Sequence, residues 1–429
     1  MSISITPKGL RLHIGIFGRR NVGKSSLLNA LTRQQTSIVS DIAGTTTDPV
    51  EKPMELLPIG PVQFIDTAGV DDVGALGELR IQKTRQVFDR TDIGIIVTDS
   101  SWSEFEQEIA NELRRRNIPF ITVFNKIDLE PPRPSGTPPQ EGNYLPLLRR
   151  DNDHSPPSEG CPKGGVVPVV KTQANIGRGV AELRAALFQL VPDDFLRSPP
   201  IVSDLVPEHE MVLLVVPIDK EAPKGRLILP QVQTIRDLLD GDRSCVVVKT
   251  DQLQSALDRM TPPPALVVTD SQAFGLVAKI IPPTMPLTSF SILFARQKGN
   301  VAAMVAGARV IGTLKPNDKV LIAETCTHHP IEEDIGTVKI PNMLNKRVGG
   351  TLRIDHVSGH DFPDADGKQM LGDYRLVIPC GACMWNRREM LSRILHCEER
   401  GVPITNYGLA LAFLHGILDR AVEPLIPRQ

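Results

Sequence analysis

Two stretches of this sequence carry residues whose types and spacing serve chemistry. The first is Gly18-Arg19-Arg20-Asn21-Val22-Gly23-Lys24-Ser25-Ser26, which fits the pattern G-x-x-x-x-G-K-[ST] in full. Its glycines let the backbone curl so that successive N–H groups point inward at phosphate oxygens. Gly18, Asn21, Val22, Gly23, Lys24, Ser25 and Ser26 are therefore the expected phosphate cradle. Lys24 is expected to reach the β- and γ-phosphates, and the Ser25 hydroxyl to ligate Mg²⁺. The second stretch is Cys380-Gly381-Ala382-Cys383, with Cys326 about fifty residues earlier. A C-x-x-C turn brings two thiolates within reach of one metal centre, and a following helix N-terminus lowers their pKa. With Cys326 as a third thiolate, the set favours Zn²⁺ or an iron–sulfur cluster over hard cations. A redox dithiol of Cys380 and Cys383 alone stays open beside these.

The surrounding segments must position these groups. Leu12 to Phe17 reads as a strand and Ser25 to Leu31 as a helix, the context a phosphate loop needs. Asp41 to Pro49 is polar, threonine-rich and aperiodic, hence a loop. Thr46 is placed to complete the Mg²⁺ shell. Val62 to Ile65 reads as a strand ending in Asp66-Thr67-Ala68-Gly69. Asp66 is expected to hold Mg²⁺ through water, and the Gly69 N–H to meet the γ-phosphate. A buried strand over 92–98, a helix over 103–116 and a strand over 118–124 follow. The last closes on Asn125-Lys126-Ile127-Asp128. A carboxylate accepts two parallel hydrogen bonds from the Watson–Crick edge of guanine, which adenine does not offer. Asp128 is thus the expected base reader, with Asn125 bracing the loop and the Lys126 stem over the ring. Ala174, after the strand over 166–170, is expected to contact guanine O6 through its N–H. The order of these motifs over residues 8–192 resembles the translation-factor-like small GTPases, which implies GTP as the ligand.

Ras-like GTPases place Gln immediately after D-x-x-G; here the position is Val70, which cannot orient water. The resemblance runs instead to GTPases with Asn at the fourth P-loop position and a G-T-T-x-D switch, here Gly44-Thr45-Thr46-Thr47-Asp48. It implies that Asn21 helps hold a K⁺ ion and that turnover is slow and potassium-dependent.

The chain has 429 residues, a formal charge of −2, 4% aromatic residues and six cysteines. That length leads us to expect about three domains. The charge balance and scarce aromatics argue against a nucleic-acid partner. No apolar run approaches the roughly 18 residues of a membrane span, and the N-terminus shows no signal-peptide pattern, so a cytoplasmic location is expected. Residues 1–192 are read as the phosphate-loop domain, with a proline-rich, mobile insertion at 130–165. Strands alternate with helices over 200–286, predicting a small parallel α/β domain suited to docking or dimerisation, or to a spacer role. Its Leu227-Ile228-Leu229 either meets a partner chain or covers the domain's own core. Residues 287–429 form the last, cysteine-bearing mixed α/β domain.

That domain carries E-x-C-T-H-H, then D-I-G-T-V-K-I-P, then C-G-x-C-M-x-N-R-R-E-M. With the front half, this order resembles the [FeFe]-hydrogenase maturation GTPases, the HydF family, over nearly the whole length. The resemblance implies a [4Fe–4S] cluster on Cys326, Cys380 and Cys383. It also implies a homodimer that carries a di-iron precursor to the hydrogenase apoprotein, alongside radical-SAM maturases. The family commonly has His where this chain has Pro379, which leaves His328 or Glu333 as candidate fourth ligands. A ribosome- or tRNA-associated GTPase with a zinc-bearing RNA module is the rival reading. A scaffold with a vestigial nucleotide site is the other.

Overall fold

The computed structural model describes residues 6–32, 49–67, 84–99, 102–126, 167–196, 199–217, 227–324, 334–359, 362–363, 371–381 and 385–425. They fall into two compact units, one over 11–196 and one over 197–429, the short segment Pro7–Leu10 grouping with the latter.

The first unit is built on a six-stranded sheet. Its strands are β1 (Leu12–Phe17), β2 (Val50–Leu56), β3 (Gly60–Asp66), β4 (Ile93–Thr98), β5 (Phe120–Phe124) and β6 (Val169–Lys171). Their order is β2-β3-β1-β4-β5-β6, with all neighbours parallel except the β2–β3 pair. β1 and β4 are buried at every position, as expected of central parallel strands covered on both faces. Helix α1 (Lys24–Thr32) buries Leu27, Leu28 and Leu31 on one stripe. Helix α2 (Glu104–Arg115) starts from a capping box in which Ser103 and Glu106 satisfy each other's backbone donors. Its inner face carries Ile109, Ala110 and Leu113, and also the carboxylate of Glu106. Helix α3 (Val180–Gln189) follows the 172–179 loop.

The second unit holds two parallel sheets. β7 (Met211–Val215), β8 (Ser244–Val248), β9 (Leu266–Thr269) and β10 (Leu287–Ser289) form one, in the order β10-β9-β7-β8. Helices α4 (Leu229–Asp240), α5 (Leu253–Leu257) and α6 (Phe274–Ile280) are its crossovers. β11 (Lys319–Glu324), β12 (Arg353–Ser358) and β13 (Leu376–Pro379) form the other, in the order β12-β11-β13. Around these lie α7 (Phe290–Lys298), α8 (Val301–Val310), α9 (Ile340–Val348), α10 (Arg387–Glu399) and α11 (Tyr407–Leu414). One apolar cluster draws on both sheets, joining Leu213 and Val267 to Leu321 and Val377. The expected α/β class is what the chain forms.

Candidate functional sites: a phosphate loop and a cysteine-bearing sheet edge

The phosphate loop leaves β1 at Gly18, whose φ is +147°; a Cβ there would lie 2.2 Å from the Val97 carbonyl oxygen. Gly23 has φ +94°, and a Cβ would lie 2.2 Å from Asn125 Nδ2. Asn21 itself sits at φ +60°, a conformation Asn tolerates better than most residues. These values explain the spacing of the motif: both glycines stand where the backbone passes another strand end or loop.

Lys24 is buried, and its Nζ donates to the carbonyls of Gly18 (2.8 Å) and Arg19 (2.7 Å). Ser25 Oγ donates to Asp66 Oδ2 at 2.7 Å. Two of the three residues expected around Mg²⁺, Ser25 at the start of α1 and Asp66 at the end of β3, are thus together. Asp66 Oδ1 is buried with no hydrogen-bond partner among the described residues. Burial raises the Asp66 pKa, opposed by Lys24, the Ser25 hydroxyl and Lys52. A buried, half-satisfied carboxylate beside a serine hydroxyl is the donor set a hard, hydrated cation takes, so these residues fit Mg²⁺.

Asn125 is the hub of the base-side loops. Its Nδ2 donates to the Val22 carbonyl at 2.9 Å. Its Oδ1 accepts from Thr172 Oγ1 and from the Ala174 N–H, both at 3.1 Å. The bracing role expected of Asn125 is therefore visible as three hydrogen bonds. The Ala174 N–H, expected to face the base, is directed at Asn125 here. Lys126, at φ +60°, sends its ammonium to the Asn21 carbonyl. Thr46, Gly69 and Asp128 lie outside the described residues, as do Val70 and most of the threonine-rich switch.

One contact escaped the sequence reading. Arg19 Nε donates to Glu106 Oε1 at 2.7 Å, and Glu106 is fully buried. The same carboxylate accepts from the Ser103 N–H at 2.9 Å. It so ties the start of the phosphate loop to the cap of α2. The Ser103-x-x-Glu106 capping box was the available signal.

In the second unit, the ends of β11 and β13 lie side by side. Ala323 is in register with Pro379, and the Cys380 N–H donates to the Ala323 carbonyl at 3.0 Å. Cys380 is half-buried and in no disulfide. The first turns of α7 and α11 flank it. A Cβ on Gly381 would lie 3.3 Å from Ser291 Oγ in α7. Tyr407, which opens α11, shares an apolar cluster with Cys380. Helix N-termini carry partial positive charge that favours a thiolate. Asn406 caps α11 through the Leu409 N–H (2.9 Å) and donates to the Ser291 carbonyl (2.9 Å).

Cys326, His328, Glu333 and Cys383 lie outside the described residues. Among the described residues no three His, Cys, Asp or Glu side chains gather to hold a metal. The placed part of the site, one half-buried cysteine following β13 and beside the first turns of α7 and α11, suits a thiolate-held group. Pro379 completes the β13 ladder beside Ala323 and offers no donor. Cys397 is different: burial pushes its thiol up to about 12, only partly opposed by Arg393, so it stays protonated. Cys245 lies half-buried on β8, its thiol likewise raised by burial.

A nucleotide cradle at the carboxyl ends of a mostly parallel sheet, followed by two smaller α/β sheets, defines a P-loop GTPase with appended assembly domains. Family models agree. One described as a 50S ribosome-binding GTPase matches residues 13–126. The hydrogen maturase F dimerization domain matches 201–299, and the hydrogen maturase F tetramerization domain matches 302–424. The chain belongs to the hydrogen maturase F family, HydF.

Its GTPase part also has relatives elsewhere. The tRNA modification GTPase MnmE of a Synechococcus species is 38% identical over 184 residues, 42% of this chain and 33% of that protein. The GTPase Der of Campylobacter curvus is 41% identical over 123 residues, 27% of this chain and 26% of Der. The chain thus spans a third or less of these two relatives' length. Among solved structures, Aquifex aeolicus Era bound to GDP and AlF4⁻ aligns at 20% identity with a TM-score of 0.32, covering 55% of this chain and 91% of that one.

Proposed function

We propose that this chain is a GTP-hydrolysing scaffold that binds a [4Fe–4S] cluster and delivers a di-iron precursor during [FeFe]-hydrogenase maturation. The observation that carries the reading is the union of two sites in one chain. A complete phosphate loop stands at the front, and Cys380 at the back sits on the sheet edge from which the stretch bearing Cys326 also departs.

In the nucleotide site, backbone N–H groups of Gly18 to Ser26 receive the phosphates. Lys24 exchanges its two carbonyl partners for phosphate oxygens. Ser25, Thr46 and Asp66 hold Mg²⁺, which supplies charge neutralisation at the phosphates. Gly69 senses the γ-phosphate, and Asp128 selects guanine. Asn21 takes part in a K⁺ site. In the cysteine site, Cys326, Cys380 and Cys383 hold the cluster, with His328 or Glu333 as the fourth ligand. The hydrogenase apoprotein and the radical-SAM maturases are the partners, in the cytoplasm. No helix among the described residues is long and apolar enough to cross a membrane.

Homodimerisation falls to the middle sheet. β8 is an edge strand, and Val247 on it is 42% exposed. On α4, Val232 and Leu239 are also exposed, as is Leu227 just before it. Among described residues of 302–424 no large apolar side chain is exposed. A parallel edge with apolar neighbours is a ready template for a second copy. A tRNA-directed role has the names of the MnmE relatives on its side. The MnmE relative matches 42% of this chain, whereas 201–299 and 302–424 match hydrogen maturase F domains.

The test is anaerobic reconstitution with iron and sulfide, read by EPR, on wild type and Cys380→Ala. Wild type is expected to show a reduced-cluster signal that the variant loses or alters. A wild-type protein that stays colourless and holds no iron ends the scaffold reading. In parallel, GTP hydrolysis in K⁺ buffer should exceed that in Na⁺ buffer; equal rates remove the Asn21 assignment.

A further inference from the structure

Charge is unevenly placed in the second unit. The strand starts of the β12-β11-β13 sheet, with the turns that lead into them, are residues 314–319, 345–353 and 371–375. They carry six cations, Lys315, Lys319, Lys346, Arg347, Arg353 and Arg375, against two acids, Asp318 and Asp373. The whole chain, by contrast, has a formal charge of −2. Three of the cations stand side by side. Lys319 is in register with Arg353, and the Arg375 N–H donates to the Lys319 carbonyl at 2.8 Å. The turns bearing the others are joined to one another. The Asn317 N–H donates to the Thr351 carbonyl at 2.8 Å, and Asn345 Oδ1 accepts from the Leu352 N–H at 2.9 Å. A Cβ on Gly350 would lie 2.8 Å from Pro316 Cγ.

Lys315, Lys346, Arg347, Arg353 and Arg375 are exposed. The guanidinium groups of Arg353 and Arg375 have no hydrogen bond or ion pair among the described residues. Lys319 Nζ lies 3.5 Å from Asp373 Oδ2, a surface pair. Neighbouring strands run about 4.8 Å apart, well inside the screening length of about 8 Å at physiological salt. Like charges set side by side at that spacing repel, so folding gains nothing from the row. Apolar attraction is not on offer here either, since no large apolar side chain is exposed among the described residues of 302–424.

We infer that this basic end of the sheet is a docking surface for an acidic face of a partner protein. The two interspersed acids favour a protein, whose surface mixes signs, over the uniformly anionic backbone of a nucleic acid. Tyr374 is the one aromatic residue of these segments, and it is buried, so bases find nothing to stack on. The surface lies at the opposite end of β13 from Cys380. It involves neither the phosphate loop nor the cysteines, and stands whatever those sites bind. Charge-led docking of this kind is fast and weakens steeply with salt.

The test uses full-length protein and fluorescent poly-L-glutamate as the acidic probe, read by anisotropy. Lys319→Ser, Arg353→Ser and Arg375→Ser are combined in one variant. Arg115→Ser, Arg259→Ser and Lys279→Ser, all exposed elsewhere, make the same change of net charge in a control. Wild type is expected to bind the probe at low salt and to release it in molar salt. The patch variant should bind about tenfold more weakly, and the control within about twofold of wild type. GTP hydrolysis should be unchanged, and thermal unfolding of the patch variant at low salt should come no earlier than that of wild type, because repulsion has been removed. Single Arg353→Ser and Arg375→Ser variants, each about twofold weaker, cover the case in which the triple variant fails to fold. Equal weakening in patch variant and control overturns the inference, leaving net charge alone. Tighter binding of polyuridylate than of polyglutamate, lost in the patch variant, also overturns it, by making the surface one for RNA. So does a change in sedimentation of the patch variant without probe, which would assign the surface to a second copy of this chain. A wild type that binds no polyglutamate at low salt overturns it outright.

Discussion

The hub role of Asn125 makes a prediction that separates folding from nucleotide binding. Asn125 is 2% exposed, and its three hydrogen bonds join the phosphate loop, the β5 end and the 172–174 loop. Asn125→Ala removes all three. Each such bond contributes about 1 kcal/mol net, and more where a buried partner is left without one. The nucleotide-free protein should therefore lose about 3 kcal/mol. The bond to the Val22 carbonyl bears most directly on binding, because it holds the loop in the shape that Gly23 and Asn21 allow. Losing about 1.4 kcal/mol there weakens GDP and GTP about tenfold. Asn125→Asp tests this division. Its two acceptor contacts survive, but a carboxylate oxygen replaces the amide that donated to Val22 at 2.9 Å. Repulsion at that point should cost binding more than it costs stability. The assays are denaturant unfolding without nucleotide and titration with a fluorescent guanine nucleotide. If Asn125→Ala leaves affinity within twofold and unfolding unchanged, the hub argument fails.

Two further outcomes follow from the first unit. Glu106→Gln keeps an oxygen for the Ser103 N–H but removes the charge facing Arg19 Nε at 2.7 Å. Disturbing this pair, of which Glu106 is buried and Arg19 partly exposed, should destabilise the unit by about 1–2 kcal/mol and weaken GTP binding, because the Arg19 carbonyl holds Lys24; Glu108→Gln, on the exposed side of α2, should do neither in the same titrations. Burial alone would raise Glu112, but hydrogen bonds and charges from Arg115 and Arg116 outweigh it and hold the carboxyl at about 2. Its stabilising contribution is thus complete above its ordinary value of 4.5 and is lost as pH falls toward about 2. Because the group is partly exposed, about 1 kcal/mol is expected, and acid unfolding of Glu112→Gln should show a correspondingly shallower pH dependence.

Much of the first unit was legible because its signals are local. The phosphate loop, its strand and its helix occupy one contiguous stretch, and buried parallel strands read as apolar runs. β2 was not legible. Val50–Leu56 contains two glutamates, a lysine and a proline, and pairs antiparallel at the sheet edge; the ladder to β3 makes it a strand, not its own pattern. β12 is also a polar edge strand, with no position fully buried. Nor was α11 read: Tyr407–Leu414 is apolar nearly all round and carries no helical period. In the helix expected over 103–116, a 3.6-residue period puts Phe105, Ile109 and Leu113 on one stripe. Ile109 and Leu113 are buried, as is Ala110, but the fourth buried position is Glu106, a charge that composition rules place outside.

The two candidate sites share one topological reason that spacing in the chain hides. Parallel strands present their carboxyl ends on the same edge, so residues that close neighbouring strands become neighbours however far apart they are in sequence. In the first unit this brings Ser25, in the first turn of the helix that follows β1, to Asp66 at the end of β3. In the second it brings Cys380, just after β13, to Ala323 and Glu324 at the end of β11. Each motif was readable alone, because glycines, a lysine and paired cysteines declare their chemistry locally. The contact between Tyr407 and Glu324 was not, because it is made across a helix start that nothing in either neighbourhood announces. A glycine supplies the missing sign: where Gly336 sits against a tyrosine and a carboxylate, the space it leaves is the record of a contact made from elsewhere.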